Sequence, residues 1–328
     1  MKVKLGSWLV AVALLFGLMG CSDRKPEQAN EVAVQGLYSG ALAANGKFAV
    51  IGSIHHGGSL WQVETNERLF DWNLKADRYA NLVAVDIDDE GRYAVTAEPW
   101  DLALWDVASG KPIDYRRAPA EILDVALSET GQLLAVGLDD RTAMLFDTEQ
   151  GAPLQTFTHG GRVRAVALNQ AKGLLLTGDD TYLSTLWDIK TGKKLHEVEI
   201  GNQATVTALS ADGKLAFSAS QLNKAVIWDT VTGQVKHTLA SMSSGFERKA
   251  TFTAARFIDQ GQRLLTGTSS GRVWLWDTRT GVLEASWMLH HRETKKPVSV
   301  SVMSVSSLGA NRHLALGSNG FVNQLSGP

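Results

Sequence analysis

The stretch LWDIKTG, residues 186–192, recurs along the chain with the same order of residue types. An aliphatic residue, an aromatic residue and an aspartate are followed, four positions later, by glycine. The other copies are LWDVASG at 104–110, LFDTEQG at 145–151, IWDTVTG at 227–233 and LWDTRTG at 275–281. Asp188 can accept hydrogen bonds from the amides of a tight turn, and Gly192 can take a positive φ without steric cost. We therefore interpret each copy as a strand that enters a hairpin turn.

Two markers repeat in constant phase. The aromatic position is occupied at intervals of 44, 41, 41, 41 and 48 residues by Trp61, Trp105, Phe146, Trp187, Trp228 and Trp276. A turn glycine lies 14 or 15 residues before each of them, at Gly46, Gly91, Gly131, Gly173, Gly213 and Gly261. A seventh, less regular copy starts at Val302, places Leu325 at the aromatic position and ends before a fourth strand. This periodicity predicts seven copies of one structural unit.

Each complete copy reads as four short strands. In the fourth copy, residues 163–200, the segments VRAVALN, GLLLTGD, STLWDI and KLHEVEI are separated by turns rich in Gly, Asn, Asp and Lys. Trp187 is expected to pack as a large apolar wedge between neighbouring sheets. The composition, 44% hydrophobic and 20% charged, is ordinary for a globular protein with a sizeable core. The pattern predicts an all-β fold.

This repeat resembles the WD40 family, whose members fold as β-propellers. The resemblance covers residues 31–328, and 298 residues over seven repeats is about 42.6 each, within the ~40–45 of such repeats. It implies a single seven-bladed β-propeller of four-stranded antiparallel blades. Residues 31–37, EVAVQGL, precede the first repeat as an extra strand. We expect this N-terminal strand to complete the last blade, so that no sheet edge stays open.

Two departures from related propellers bear on this assignment. Fuller WD40 repeats carry a buried His–Ser/Thr–Asp–Trp network, but only the fourth repeat has the histidine, His159, and Thr181 occupies the position expected for aspartate. We therefore expect incomplete networks. A quinoprotein-type propeller repeat of some outer-membrane assembly lipoproteins shares the turn Asp-x-x-Thr-Gly, with tryptophan after the glycine. Here Lys193, Gln234 and Val282 follow that glycine, which favours the WD40 type.

The N-terminus has the pattern of a bacterial lipoprotein. Two lysines precede an apolar run over residues 8–19, which is too short for a spanning helix and suits a signal peptide. The ending LMGC resembles a lipobox, and Cys21 is the chain's only cysteine. We predict a signal peptide over 1–20, lipidation (palmitate) of Cys21, a flexible tether over 21–30 and the propeller over 31–328. The alternatives are an ordinary signal peptide with an incidental cysteine, or an uncleaved anchor.

The same segment predicts a cellular location. A lipid anchor at Cys21 would attach the protein to a membrane of the bacterial cell envelope. Ser22 stands where an aspartate would resemble an inner-membrane retention signal. We therefore expect the outer membrane, at its periplasmic face rather than the outer surface.

Three motifs resemble chemical sites, and each has a plainer interpretation. GTSSG at 267–271 matches G-x-S-x-G, which acts only on a strand-to-helix turn, so we expect a hairpin here. DIDDEG at 86–91 resembles the start of a calcium loop, but Ala97 stands where a bidentate carboxylate is needed, so we expect a solvated acidic hairpin. The His55–His56 pair, like His290–His291, cannot chelate on a regular strand, because neighbouring side chains point to opposite faces. We predict no catalytic residue, metal or cofactor.

The resemblance implies a non-enzymatic protein-interaction scaffold. The alternative is a periplasmic enzyme, or a small-molecule or glycan-binding module, that uses the central channel or top face, and fold alone does not decide. No repeated set of carboxylates, histidines or arginines is evident at the inner ends of the repeats. Trp100 could stack on a sugar ring in an adhesin-like or lectin-like module. The net charge of −2 gives no reason to expect nucleic acid binding.

The longest connections between repeats, SMSSGFERKAT at 241–251 and MLHHRETKKP at 288–297, are polar and rich in basic residues. We predict that they bind a partner, either an envelope protein with an acidic surface or an anionic envelope polymer, with an affinity that falls as salt rises. The protein would be a monomer or part of a hetero-complex. The predicted partner-binding residues are Arg248, Lys249, His290, His291, Arg292, Lys295 and Lys296.

Overall fold

The computed structural model describes residues 23–73, 79–222, 224–239, 250–293, 299–309 and 311–327. Within them lie seven four-stranded antiparallel sheets, or blades, whose strands pair in chain order. Blades 1 to 3 comprise β2 Leu37–Leu42, β3 Phe48–Ser53, β4 Gly57–Gln62 and β5 Glu67–Trp72; β6 Ala84–Ile87, β7 Tyr93–Ala97, β8 Asp101–Asp106 and β9 Pro112–Arg117; and β10 Ile122–Leu127, β11 Leu133–Leu138, β12 Thr142–Asp147 and β13 Pro153–Thr158.

Blades 4 to 7 follow the same order, and the last includes the first strand of the chain. They comprise β14 Val163–Asn169, β15 Leu174–Asp179, β16 Leu183–Asp188 and β17 Lys194–Glu199; β18 Ala204–Leu209, β19 Leu215–Ser220, β20 Ala225–Asp229 and β21 Val235–Thr238; β22 Phe252–Ile258, a short 3-10 turn Asp259–Gly261, β23 Arg263–Thr268, β24 Arg272–Asp277 and β25 Leu283–Met288; and β26 Val302–Gly309, β27 Arg312–Gly317, β28 Phe321–Ser326 and β1 Gln28–Glu31.

The seven blades form a closed ring, which confirms the predicted seven-bladed propeller. The first strand of each blade contacts the first strands of both neighbouring blades, and β26 of blade 7 contacts β2 of blade 1. These seven strands surround a central channel. In the described part of the chain no helix is long and apolar enough to cross a membrane.

The core lies between the blades. Seven buried apolar clusters are present among the described residues, one at each junction of neighbouring blades. Trp187 belongs to the cluster between blades 3 and 4, and Trp228 to the cluster between blades 4 and 5. A buried indole removes roughly 200 Å² from water, worth up to about 5 kcal/mol. The predicted wedge role of the repeated tryptophan is confirmed.

The repeated Asp–Gly turn also has the predicted geometry. Asp188 Oδ1 accepts hydrogen bonds from the amide and hydroxyl of Thr191, at 2.7 and 2.8 Å, and Gly192 has a φ of +69°. The bond from the Thr191 amide is the main cause that holds the pKa of Asp188 below its ordinary value. The pKa values of Asp106 and Asp277 are likewise held below the ordinary value, first by the hydroxyls of Ser109 and Thr280 and then by the amides of the same residues.

The polar networks are more complete than the sequence predicted. The tryptophan indole donates to a hydroxyl on the second strand in four blades, at 2.8 to 3.1 Å: Trp105 to Thr96, Trp187 to Thr177, Trp228 to Ser218 and Trp276 to Thr266. In blade 4 the carboxylate of Asp179 lies 3.4 Å from His159 Nδ1. The expectation that this network lacks its acid was wrong. The acid ends β15 instead of standing in the following turn, and Thr181 donates to it.

Ring closure follows the prediction, but the residues that perform it differ. Strand β1, Gln28–Glu31, pairs with β28 from Gln28↔Gln324 to Glu31↔Phe321. The predicted strand, residues 31–37, is instead mostly a connection, and Leu37 already opens β2. The apolar residues of this segment predicted a buried strand, but Val34 is 72% exposed. The closing strand QANE is polar, since an outermost strand has little core to cover.

The segment predicted as a flexible tether, residues 21–30, packs against the propeller wherever it is described. Arg24 forms a parallel bridge with Trp287: its amide donates to the Ser286 carbonyl and its carbonyl accepts from the Met288 amide, both at 2.9 Å. The described residues before β1 therefore add to the outer edge of blade 6. Cys21 lies outside the described residues.

Candidate interaction face and central channel

Antiparallel pairing gives the disc two different faces. The first-to-second and third-to-fourth turns of every blade lie at one end, which we call the turn face. The second-to-third turns and the blade-to-blade connections lie at the other end, which we call the connection face.

The turn face is fastened around the whole ring. Each of the seven blade junctions carries at least one hydrogen bond there, in ring order: Asn45 to Glu90, Arg92 to Thr130, Thr130 to Gln170, Asn169 to Ser210, His237 with Arg279, Arg263 to Asn311, and Ser306 to Ala43. Most of these bonds use a backbone carbonyl of the neighbouring blade as acceptor. Polar contacts on this face thus hold every pair of neighbouring blades together.

Arg256 of β22 connects more blades than any single turn does. Its guanidinium donates to the Val305 carbonyl of blade 7 at 3.2 Å and to the Leu42 carbonyl of blade 1 at 3.4 Å. It also pairs with the Asp89 carboxylate of blade 2 at 3.1 Å. One side chain therefore links four consecutive blades near the turn face.

The connection face carries exposed aromatic and apolar side chains on blades 7, 1 and 2. Val34 is 72% exposed, Tyr79 62%, Tyr38 52% and Trp100 43%. Tyr38 lies at the start of β2 beside the channel mouth, and the Tyr79 ring packs edge-on against His56 at 5.8 Å. We call Val34, Tyr38, His55, Tyr79 and Trp100 the aromatic surface. Other exposed aromatic and aliphatic residues, such as Tyr115, Tyr182, Leu154 and Val231, are scattered singly over other blades and strands, which is ordinary for a protein surface.

Two cavities open within this surface. One, of about 400 Å³, is lined by Tyr38, His55, Tyr79, Ala80 and Asn81. The other, of about 360 Å³, lies between blades 7 and 1, with Val34, Ile54 and Arg292 in its lining. Leu37 and Ile54 line the second cavity, and their chain neighbours Tyr38 and His55 line the first, so the two cavities lie next to each other. Such recesses can receive side chains of another molecule.

Trp100 lies beside polar groups on blade 2. The Arg117 guanidinium lies 5.8 Å from the centre of its ring, and Arg117 Nη1 contacts the Asp101 carboxylate at 3.4 Å. Asp101 is itself buried. An aromatic ring with a charged pair beside it is suited to contacts with a partner's polar and apolar groups alike.

The predicted basic patch is only partly within the described residues. Arg248, Lys249, Lys295 and Lys296 lie outside them. His291 is exposed, whereas the His290 ring packs on Phe321 with 4.7 Å between ring centres. Arg292 pairs with Glu31 at 2.6 Å, donates to the Ala33 carbonyl at 2.7 Å and lies over the Phe321 ring. Arg292 and His290 thus help to hold the closing strand, and the partner-binding role of the patch stays a prediction.

The central channel contains two carboxyls that were not identified from the sequence as channel residues. Asp86 of β6 accepts a hydrogen bond from the Leu127 amide, and Asp124 of β10 accepts one from the Val166 amide, each at 2.8 Å. Burial raises the pKa of Asp86 to about 6 and that of Asp124 to about 7, although these hydrogen bonds act in the opposite direction. Each carboxyl thus bonds a backbone amide on the first strand of the next blade. The sequence feature that could have identified these channel residues is an acid within an otherwise apolar first strand, as in AVDI of β6 and ILDV of β10.

The other motifs singled out in the sequence lie in hairpins. GTSSG links β23 to β24, as predicted. DIDDEG spans the end of β6 and the turn to β7, but it is not the solvated hairpin that we expected, because Asp88 is buried and Asp86 lines the channel. Asp88 accepts bonds from the Arg92 and Tyr93 amides, so its carboxylate closes that turn. Within the described ranges there is no group of three or more His, Cys, Asp or Glu residues arranged to hold a metal ion.

The WD40 family model described as "WD domain, G-beta repeat" matches residues 111–147, which run from the last strand of blade 2 through the third strand of blade 3. A comparison with curated proteins gives no match. The family match covers about one repeat. Blades 2, 4, 5 and 6 end their third strand in Trp–Asp, blade 3 ends it in Phe–Asp, and all seven blades have four strands. The chain is a WD40-repeat β-propeller.

Proposed function

We propose that the protein is a non-enzymatic interaction scaffold whose connection face binds a partner protein. The aromatic surface on blades 7, 1 and 2 carries this proposal. Tyrosine, tryptophan and arginine dominate the energetics of protein interfaces, and they act from recesses that exclude water. Here Tyr38 and Tyr79 are exposed and line one of the two cavities, and Trp100 is exposed on blade 2 of the same face, although each ring would gain by burial.

The channel groups support a scaffold over an enzyme. Asp86, Asp124 and Arg256 each bond the backbone of a neighbouring blade, so each has a role in ring assembly. A catalytic carboxyl with a raised pKa would need to reach a reacting group. The runner-up function, binding of a small molecule in the channel cavity of about 310 Å³, is favoured only by the raised pKa values of the two carboxyls.

The protein is further proposed to be attached to a bacterial envelope membrane by a lipid on Cys21, at the periplasmic face of the outer membrane. The lipobox-like LMGC and the short apolar run before it support this location. The partner is then another envelope component. The basic residues in the connections at 241–251 and 288–297 favour a partner with an acidic surface.

The scaffold function is tested by substituting the aromatic surface. The paired change Tyr38→Ala and Tyr79→Ala is expected to abolish recovery of the partner after crosslinking in intact cells and mass spectrometry. The matched control is Leu154→Ala with Val231→Ala, which removes equally exposed apolar side chains away from this surface. Equal recovery from the folded tyrosine variant and from the control would refute the proposed face.

The anchor is tested separately. Cys21→Ala is expected to release the protein from the membrane fraction or leave the precursor uncleaved, because the thiol is the site of lipid attachment. A variant that is processed and membrane-bound like the parent would contradict the lipid anchor.

The basic patch is tested by Arg248→Glu, Lys249→Glu and Lys295→Glu together, which leave Arg292 to hold the closing strand. Unchanged partner recovery would exclude the patch.

A further inference from the structure

The chain meets blade 6 immediately after the proposed lipid attachment site. Asp23 Oδ2 accepts a hydrogen bond from Arg272 Nε at 2.9 Å, and Asp23 Oδ1 accepts one from the Ser286 hydroxyl. Both partners of the Asp23–Arg272 ion pair are largely buried, with 25% and 18% of their side chains exposed. Together with the backbone bonds of Arg24, these contacts fix the chain to the outer edge of blade 6.

The distance from this point to the anchor is short. Cys21 and Asp23 are separated by two peptide units, which span at most about 7 Å when fully extended. A flexible tether of ten residues would have let the propeller turn freely relative to the membrane, with a reach of roughly 17 Å. Because the described chain is already bound to blade 6 at Asp23, the anchor leaves almost no such freedom.

The surface at this point suits the headgroup layer of a membrane. Arg24 and Lys25 are exposed, and both follow Asp23 directly. They lie three and four residues after Cys21 and outweigh the one exposed acid of this stretch, Glu27, so anionic headgroups around the Cys21 lipid would attract them. The adjoining second-to-third turn of blade 6, Thr268-Ser-Ser-Gly271, is uncharged and therefore adds no repulsion.

We propose that the blade 6 edge of the propeller rests on the phospholipid headgroups of the membrane that carries the Cys21 lipid. This orientation rests on the proposed lipid anchor. The disc is then held by one edge, with Arg24 and Lys25 against anionic headgroups. Blades 2 and 3, opposite blade 6 in the ring, lie farthest from the membrane. The part of the aromatic surface on blade 2 is thereby presented to partners in the aqueous space.

The test measures the distance of two positions from the bilayer. The lipidated chain has no free thiol, so an introduced cysteine can be labelled selectively with a donor dye. Ser270→Cys places the dye in the second-to-third turn of blade 6, and Glu149→Cys places it in a turn of blade 3. Each protein is reconstituted into vesicles of phosphatidylethanolamine and phosphatidylglycerol that contain an acceptor-labelled phospholipid. A second pair of proteins carries the same two cysteine substitutions and, in addition, twenty Gly/Ser residues between Ser22 and Asp23.

Energy transfer is expected to be several-fold more efficient from position 270 than from position 149, and the spacer should abolish this difference. Equal transfer from both positions, with the lipid on Cys21 verified by mass spectrometry of the N-terminal peptide, would overturn the orientation and leave the anchor intact. A difference that persists with the spacer would also overturn it, because the short attachment would not be its cause. An N-terminal peptide without lipid would overturn the anchor and the orientation together.

Discussion

The two faces of the disc differ in how their polar and aromatic side chains are used. On the turn face, hydrogen bonds join every pair of neighbouring blades, and Arg256 alone links four of them. On the connection face, Tyr38, Tyr79 and Trp100 are exposed, and the two tyrosines line a cavity. The same repeat unit supplies both faces, so the difference arises from the loops that each blade adds.

This difference separates stability from recognition. Groups that are bonded across blades cannot be removed without cost to the ring, and they have little capacity left for a partner. Groups that are exposed contribute little to folding and can be spent on binding. Substitutions of the cross-blade groups on the turn face should therefore change stability and leave partner recovery alone, whereas substitutions of the exposed aromatic groups on the connection face should do the reverse.

The largest effect on stability is expected from Arg256→Ala. The substitution removes hydrogen bonds from a charged group to two carbonyls and the ion pair with Asp89, so the free energy of unfolding should fall by roughly 2–4 kcal/mol. Urea unfolding of the purified propeller measures the change. The control is Arg279→Ala, whose side chain is exposed on the same face. A change below about 0.5 kcal/mol for Arg256→Ala, the level ordinary for surface residues, would contradict the linking role.

A smaller, pH-dependent effect is expected from Asp124→Asn. The folded-state pKa of about 7 lies above the unfolded value of 3.8, so the folded chain binds the extra proton between these values. The contribution of the protonated Asp124 carboxyl to the free energy of unfolding is therefore present in acid and is lost as the pH rises through about 7. Relative to wild type, Asp124→Asn should gain roughly 1–3 kcal/mol between pH 5 and pH 8.

The turn aspartates provide the opposite control. The pKa of Asp188 lies below its ordinary value, so its stabilising contribution is present at neutral pH and lost in acid. Asp188→Asn should therefore destabilise at pH 7, and the difference from wild type should shrink as the pH falls through the unfolded pKa. The same direction of change for both variants in pH-dependent urea unfolding would show that channel and turn carboxyls do not differ as described.

The smallest effect on stability is expected from the aromatic surface. Tyr38→Ala and Tyr79→Ala should each change the free energy of unfolding by less than about 0.5 kcal/mol, because both side chains are more than half exposed. Thermal and urea unfolding measure this directly. A loss above about 2 kcal/mol would show that the tyrosines hold the fold, and their effect on binding could then not be assigned to a partner contact.

The ring could be predicted from the sequence because its signal repeats. The Trp–Asp–Gly pattern fixed the number of blades and the roles of Trp187, Asp188 and Gly192, since each rests on local geometry. The closing strand was displaced by several residues, because the polar QANE lacks the alternation of a half-buried strand. The channel carboxyls and the tyrosines of the aromatic surface were missed, and Trp100 and His55 were noted only singly, because these residues come from different repeats and meet only through ring closure.

The most direct test of the central claim places a photo-crosslinking amino acid on each face in turn. Positions 79 and 100 sample the aromatic surface, and positions 193 and 231 sample exposed sites of the turn face. After irradiation of intact cells, the account predicts a specific crosslinked partner from 79 and 100, and none from 193 and 231. The same crosslinked product from the turn-face positions, or its absence from both connection-face positions, would contradict the claim that the connection face binds the partner.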